Sequence, residues 1–125
     1  SGMKSVTLAT PGRIDLKRDG LLPLVSFARA LALRIGSNAR PTPDRIRDVL
    51  GAGRLGERDG AMLIETHGRL MDHILRQQLL DLKAGIAPSS RVEPGTLSRD
   101  QRSELRSRLH SLDAVVREIR SLIVR

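Results

Sequence analysis

Leu105, Leu109, Leu112, Val116, Ile119 and Ile123 recur at steps that alternate four and three residues. One side of a long helix is therefore aliphatic from end to end. A helix with such a stripe does not hold itself together in water and needs partners that bury it. Arg102, Arg106, Arg108, Arg117 and Arg120 fall between the stripe positions, on the solvent side. Ser98-Arg99-Asp100-Gln101 has capping-box form at the start, with Ser98 as N-cap and Gln101 three residues on. The rest of the chain must supply the partners.

Three more helical stretches do so. From Leu21 to Ile35 apolar residues crowd together, with Leu24, Ala28, Leu31 and Ile35 at helical spacing and Pro23 tolerable only in the first turn. Gly36 and Asn38 are its stop signal. Thr42-Pro43-Asp44 opens a short helix, with Thr42 as N-cap, Ile46, Val49 and Leu50 inward, and Gly51 and Gly53 at its close. A third helix is expected from about Glu57 to Lys83. Leu63, Leu70 and Ile74 form one apolar row on it, and Ile64, Met71, Leu75 and Leu82 form a second row beside the first. Gly60 and Gly68 weaken it but suit close approach of a neighbouring helix. Ala84 to Leu97 reads as a long connection, and no stretch has the alternation of a strand. The expected fold is all-α, an up-and-down bundle of three long helices and one short one. Residues 1–3 have the form of a tag remnant, 4–19 read as an N-terminal arm through the turn Thr10-Pro11-Gly12, and 20–125 read as one bundle domain.

Composition narrows the chemistry. One Phe with no Tyr or Trp means an aliphatic core and no aromatic platform for stacking bases. The absence of Cys excludes disulfides, thiolate zinc sites and cysteine nucleophiles. No apolar run approaches the roughly 20 residues of a membrane span, so a soluble, cytoplasmic protein is expected. Lys and Arg number 22 against 14 Asp and Glu, a formal charge of +8. These charges are interspersed, with i,i+4 pairs such as Asp72–Arg76 and Asp113–Arg117, as on an ordinary solvated surface. The surplus also suits an anionic ligand or neighbouring domain.

His67, His73 and His110 share no ligand spacing, so no metal site is read; His67 falls in register with Leu63, Leu70 and Ile74 and faces the bundle. Gly36-Ser37-Asn38-Ala39-Arg40 resembles the Gly-Ser signature of polymerase-β-type nucleotidyltransferases. That active site needs a preceding strand and an Asp-x-Asp pair for its metal ions. Here a helix precedes and Pro41 comes directly after, so the match is a helix end and loop. Ile14-Asp15-Leu16-Lys17 is more suggestive. In an extended piece Asp15 and Lys17 point the same way, and Lys17 sits beside the first turn of the next helix, whose amides favour a phosphate or carboxylate.

That stretch and its continuation into the first helix, Ile14-Asp15-Leu16-Lys17…Gly20-Leu21-Leu22-Pro23-Leu24-Val25…Ala28-Arg29-Ala30-Leu31-Ala32-Leu33, closely resemble the C-terminal substrate-binding domain of certain bacterial signalling nucleotidyltransferases. Ala52-Gly53-Arg54-Leu55, Arg76-Gln77-Gln78-Leu79 and Leu97-Ser98 extend the likeness over residues 13–124. The family often has His where Gln77 stands. Its proteins carry cyclic-nucleotide-binding-like and CBS domains, then a polymerase-β-type catalytic domain, and are similar to the uridylyltransferase that modifies PII signal proteins. The resemblance implies a helical module that binds nucleotide or a signalling protein substrate beside a catalytic domain. This chain lacks that domain, so no catalytic residue and no cofactor is expected in it, magnesium belonging with the catalytic domain.

On this reading Lys17, Arg29, Arg76 and Gln78 are the candidate substrate- or nucleotide-binding residues. Lys17 and Arg76 would hold phosphate oxygens, and Gln78 would read a base edge or orient Arg29. Arg29, expected to be buried among Leu24, Ala28 and Leu33, needs an acidic partner, and Asp15 is the first choice. Ion pairs of Arg29 and Arg76 with Asp15 and Asp72 are the structural alternative. Two other functions compete: a basic helical module binding nucleic acid, and a protein-interaction domain that dimerises through the Leu105–Ile123 stripe.

Overall fold

The computed structural model describes residues 12–123, in which four α-helices carry the core. Helix α1 is Leu22–Arg34, α2 Thr42–Gly51, α3 Glu57–Lys83 and α4 Arg99–Ile123. The tag remnant and the first part of the arm lie outside the described residues. Helix α3 has the bounds its periodicity predicts, and the capping box forms: Gln101 N–H donates to Ser98 Oγ at 3.1 Å and Ser98 N–H to Gln101 Oε1 at 2.9 Å.

The aliphatic stripe of α4 packs inside the molecule from Leu105 to Ile119. Leu112 and Val116 join Leu24, Phe27, Ala28 and Leu31 of α1, Ile46 and Val49 of α2, Leu55, and Leu63 of α3 in one core cluster. Leu105 joins Leu70, Ile74, Leu16, Val92 and Leu97 in a second. Each fully buried Leu contributes roughly 1.5–3 kcal/mol, so Leu105, Leu112 and Val116 are committed to packing within the molecule.

Four expectations are corrected. Thr42 is not the cap of α2: extended Pro41 takes that place, its carbonyl accepting from Arg45 N–H at 3.0 Å, and Thr42 is buried in the first turn. Residues 14–21 are built into the core and do not hang from it as an arm. Ile14–Asp15 (β1) pairs antiparallel with Arg91–Val92 (β2), Leu16 is wholly buried, and Lys17–Leu21 forms a π-helical turn that runs into α1. A two-residue ladder is too short to show alternation in sequence. Gly20 lets this turn sit against the bundle, since a Cβ there would lie 2.9 Å from Leu109 Cδ2 and 3.0 Å from Leu70 Cδ1. Gly68 faces open space, so only Gly60 serves close packing: its Cβ would meet Leu50 Cδ1 and Cδ2 at 2.6 Å. Finally, Arg108 is not a solvent-facing charge. It ties α4 to α3, donating to Glu65 at 2.6 Å and Glu104 at 3.1 Å.

Candidate functional site

The C-terminal half of α3 presents an inward and an outward face, and both bear on function. On the inward row, at helical spacing from Leu70 and Ile74, stand Gln77 and Asp81, each almost fully buried. A buried carboxylate is costly unless every oxygen is satisfied. Asp81 is: Arg13 donates to it at 3.0 and 3.2 Å, Gln77 Nε2 at 2.9 Å and Ser89 N–H at 3.1 Å. Gln77 Oε1 in turn accepts from Glu93 N–H at 3.0 Å. The Arg13 guanidinium holds the Asp81 carboxyl below the ordinary range, against the opposing effect of burial. This network pins the N-terminal segment and the 84–98 connection onto α3. Sequence reasoning missed it, although an acid on the inward row of α3 was the available signal.

A groove of about 480 Å³ lies between the π-turn, α3 and the connection. Lys17, Gln78, Asp72 and Ser90 give it polar edges, with Leu21, Ile74 and Leu75 among its apolar walls. Lys17 and Gln78 are thus brought together. The expected amide seat for an anion is not free, because Asp15 fills it: Arg18 N–H donates to Asp15 Oδ1 at 3.0 Å. The turn also continues into α1, with Leu22 N–H donating to Lys17 C=O, so α1 offers no open first turn there.

The remaining candidates part company. Arg76 lines an adjoining groove of about 330 Å³ that shares Asp72 and Leu75 with the first. It is not held by Asp72; its guanidinium donates to Thr96 C=O at 2.9 Å and Thr96 Oγ1 at 3.3 Å. Arg29 is exposed on α1, lines neither groove and makes no ion pair among the described residues. The expected Arg29–Asp15 pair is replaced by Arg91 Nε, 3.7 Å from Asp15 Oδ2. Arg29 fails to be buried because α1 turns Leu24, Phe27, Ala28 and Leu31 inward, and position 29 falls on the opposite side of the turn.

The outward face of α3 is the most unusual surface of the molecule. Met71, Leu75, Leu79 and Leu82 are each 45–59% exposed, and Ile86 just past the helix is 49% exposed. These include three members of the second apolar row read from the sequence, and nothing among the described residues covers them. Lys17, Arg76 and Lys83 flank the stripe, with Asp72 the one acid lining the two grooves beside it.

Other candidate chemistry resolves into structure. Gly36 takes φ +69° and Ser37 Oγ donates to Asp48 Oδ2 at 2.6 Å, so the Gly-Ser match is a helix end pinned to α2. Half-burial lowers the pKa of both His67 and His73. Nucleotidyl transfer implies magnesium, but among the described residues no three His, Cys, Asp or Glu side chains converge to seat an ion. Nor is any helix among them long and apolar enough to cross a membrane.

No curated protein and no solved structure matches the chain. A family does, over residues 5–121, a span that takes in β1, the π-turn, both grooves and most of α4. The chain belongs to the family described as "Putative nucleotidyltransferase substrate binding domain".

Proposed function

We propose that this chain is the substrate-binding and regulatory module of a signalling nucleotidyltransferase, and that it meets the catalytic domain through the outward face of α3. The observation that carries the reading is the uncovered stripe Met71, Leu75, Leu79, Leu82 and Ile86 with its basic rim. A contiguous apolar patch edged by polar groups marks an interaction surface. The family description supplies the occupant, since a substrate-binding domain works against a catalytic one. Lys17 and Gln78 stand at the edge of that face, where Lys17 would hold a phosphate or carboxylate oxygen and Gln78 a polar group of the substrate. Arg76, oriented by Thr96, supplies the other rim. Metal-dependent transfer itself belongs to the catalytic domain. The kinship to PII-modifying uridylyltransferases, and an arrangement with CBS and cyclic-nucleotide-binding domains in a bacterial cytoplasm, rest on the sequence resemblance and form part of this proposal.

Hydroxyl-radical footprinting tests it. Met71, Leu75 and Leu79 should be labelled in the free chain and protected when the catalytic domain is added. Protection confined to other faces, with Met71 labelled as before, would contradict the reading.

A further inference from the structure

Several surface arginines of this chain have a carboxylate to hold, whereas others, Arg29 among them, make no ion pair among the described residues. Arg18 pairs with Asp19, Arg47 with Asp44, Arg69 with Glu104, and Arg117 with Asp113. Arg34 and Arg54 do not: neither makes an ion pair or side-chain hydrogen bond among the described residues, yet both line one cleft of about 600 Å³. Its other walls are Leu31 and Ile35 from the end of α1 and Ile119 and Leu122 from the end of α4. No acid and no α3 residue lines it.

The two arginines are presented by fixed backbone. Helix α1 ends in a turn in which Ser37 N–H donates to Ala32 C=O at 3.0 Å behind Gly36. Helix α2 ends the same way, with Gly53 at φ +72° and Arg54 N–H donating to Val49 C=O at 3.1 Å. Two guanidinium groups over an aliphatic floor match a ligand with a doubly charged oxyanion at one end and a less polar body at the other. The cleft volume lies in the range of small-molecule sites.

We propose that this cleft binds a nucleoside phosphate, the phosphate between Arg34 and Arg54 and the nucleoside against Leu31, Ile35 and Ile119. The nucleoside part rests on the substrate-binding reading proposed for the chain; the anion part rests on the cleft alone. The site is separate from the α3 face, so the two proposals fail separately.

Titrate the full chain with UTP, UMP, inorganic phosphate and uridine, following amide shifts by NMR and affinity by calorimetry. Nucleotide should bind more tightly than phosphate or uridine, shifting the amides of Leu31–Ile35, Arg54 and Ile119. Arg34→Gln with Arg54→Gln should weaken it by about tenfold or more. Lysine at both positions should restore part of the loss, because charge returns without the bidentate fork. Arg47→Gln on α2 should bind as the parent does. Absence of nucleotide binding, binding untouched by the double variant, or phosphate alone binding as tightly as nucleotide would overturn the proposal. A double variant that only lowers the melting temperature, with the parent blind to nucleotide, would overturn it too and leave the arginines as partners of the helix C-terminal dipoles. If nucleotide fails here while the α3 face still docks the catalytic domain, the cleft assignment alone is lost.

Discussion

Asp81 is the residue on which the lower half of the molecule turns. Its carboxylate accepts four hydrogen bonds, two from the sequence-distant Arg13, one from Gln77 on the same helix and one from Ser89 N–H in the connection. Asp81→Ala strands the Arg13 guanidinium and the Gln77 amide in a buried setting, so it should lower the melting temperature far more than Asp113→Ala, whose partner Arg117 is in solvent. Acid stability should fall in two stages. Burial lowers the pKa of His67 and His73, so their contribution is complete above about pH 6.5 and declines as pH falls below it, when the unfolded chain takes protons that the folded one refuses. Arg13 and Arg108 lower the carboxyl pKa values of Asp81 and Glu104, so a second loss should begin below about pH 4. Thermal melts from pH 8 to 3 on the parent, His67→Gln and Asp81→Asn should show each variant reducing its own stage, with His73 and Glu104 carrying what is left. A parent profile flat down to pH 4 would contradict the histidine assignment.

The helices themselves were legible in the sequence because each carries its signal locally. The four-three stripe of α4, its capping box, and the row Leu63, Leu70 and Ile74 of α3 need no tertiary information. What joins the helices was not legible, because it depends on residues that meet only in the fold. The Ile14–Val92 ladder, the Arg13–Asp81 pair and the Arg108 bridge span long stretches of chain. Glycines in α3 show the difference: Gly60 and Gly68 look alike in sequence, yet only Gly60 faces a neighbour. Gly68→Ala should stabilise by about 0.5–1 kcal/mol through helix propensity. Gly60→Ala should destabilise, since its methyl would push into Leu50. Leu112→Ala should cost about 2–5 kcal/mol. Arg108→Ala should cost about 1 kcal/mol, the upper end for a surface ion pair, as it bridges two helices. Denaturant melts on the four variants decide the order.

Across the whole molecule, the candidate site was only half legible. The second apolar row of α3 could be read from the sequence, but whether another helix covers it is a matter of topology, and none does among the described residues. Lys17 and Gln78 line one groove and Arg76 an adjoining one, whereas Arg29 stands elsewhere because its place on α1 is fixed by which side of that helix the core takes. The chain alone should transfer no label from UTP or ATP with magnesium to any acceptor, since its family is described as a substrate-binding domain; label transfer by the purified chain would contradict this. The central claim is that the outward face of α3 docks the catalytic domain. Calorimetric titration of that domain with the parent chain, with Leu75→Glu/Leu79→Glu, and with Leu33→Glu tests it most directly. Leu33 is 70% exposed and lies on α1, off the docking face, so it controls for a new surface charge. All three should fold with similar melting temperatures. The α3 double variant should lose measurable binding while Leu33→Glu binds like the parent; equal binding by all three would contradict the account.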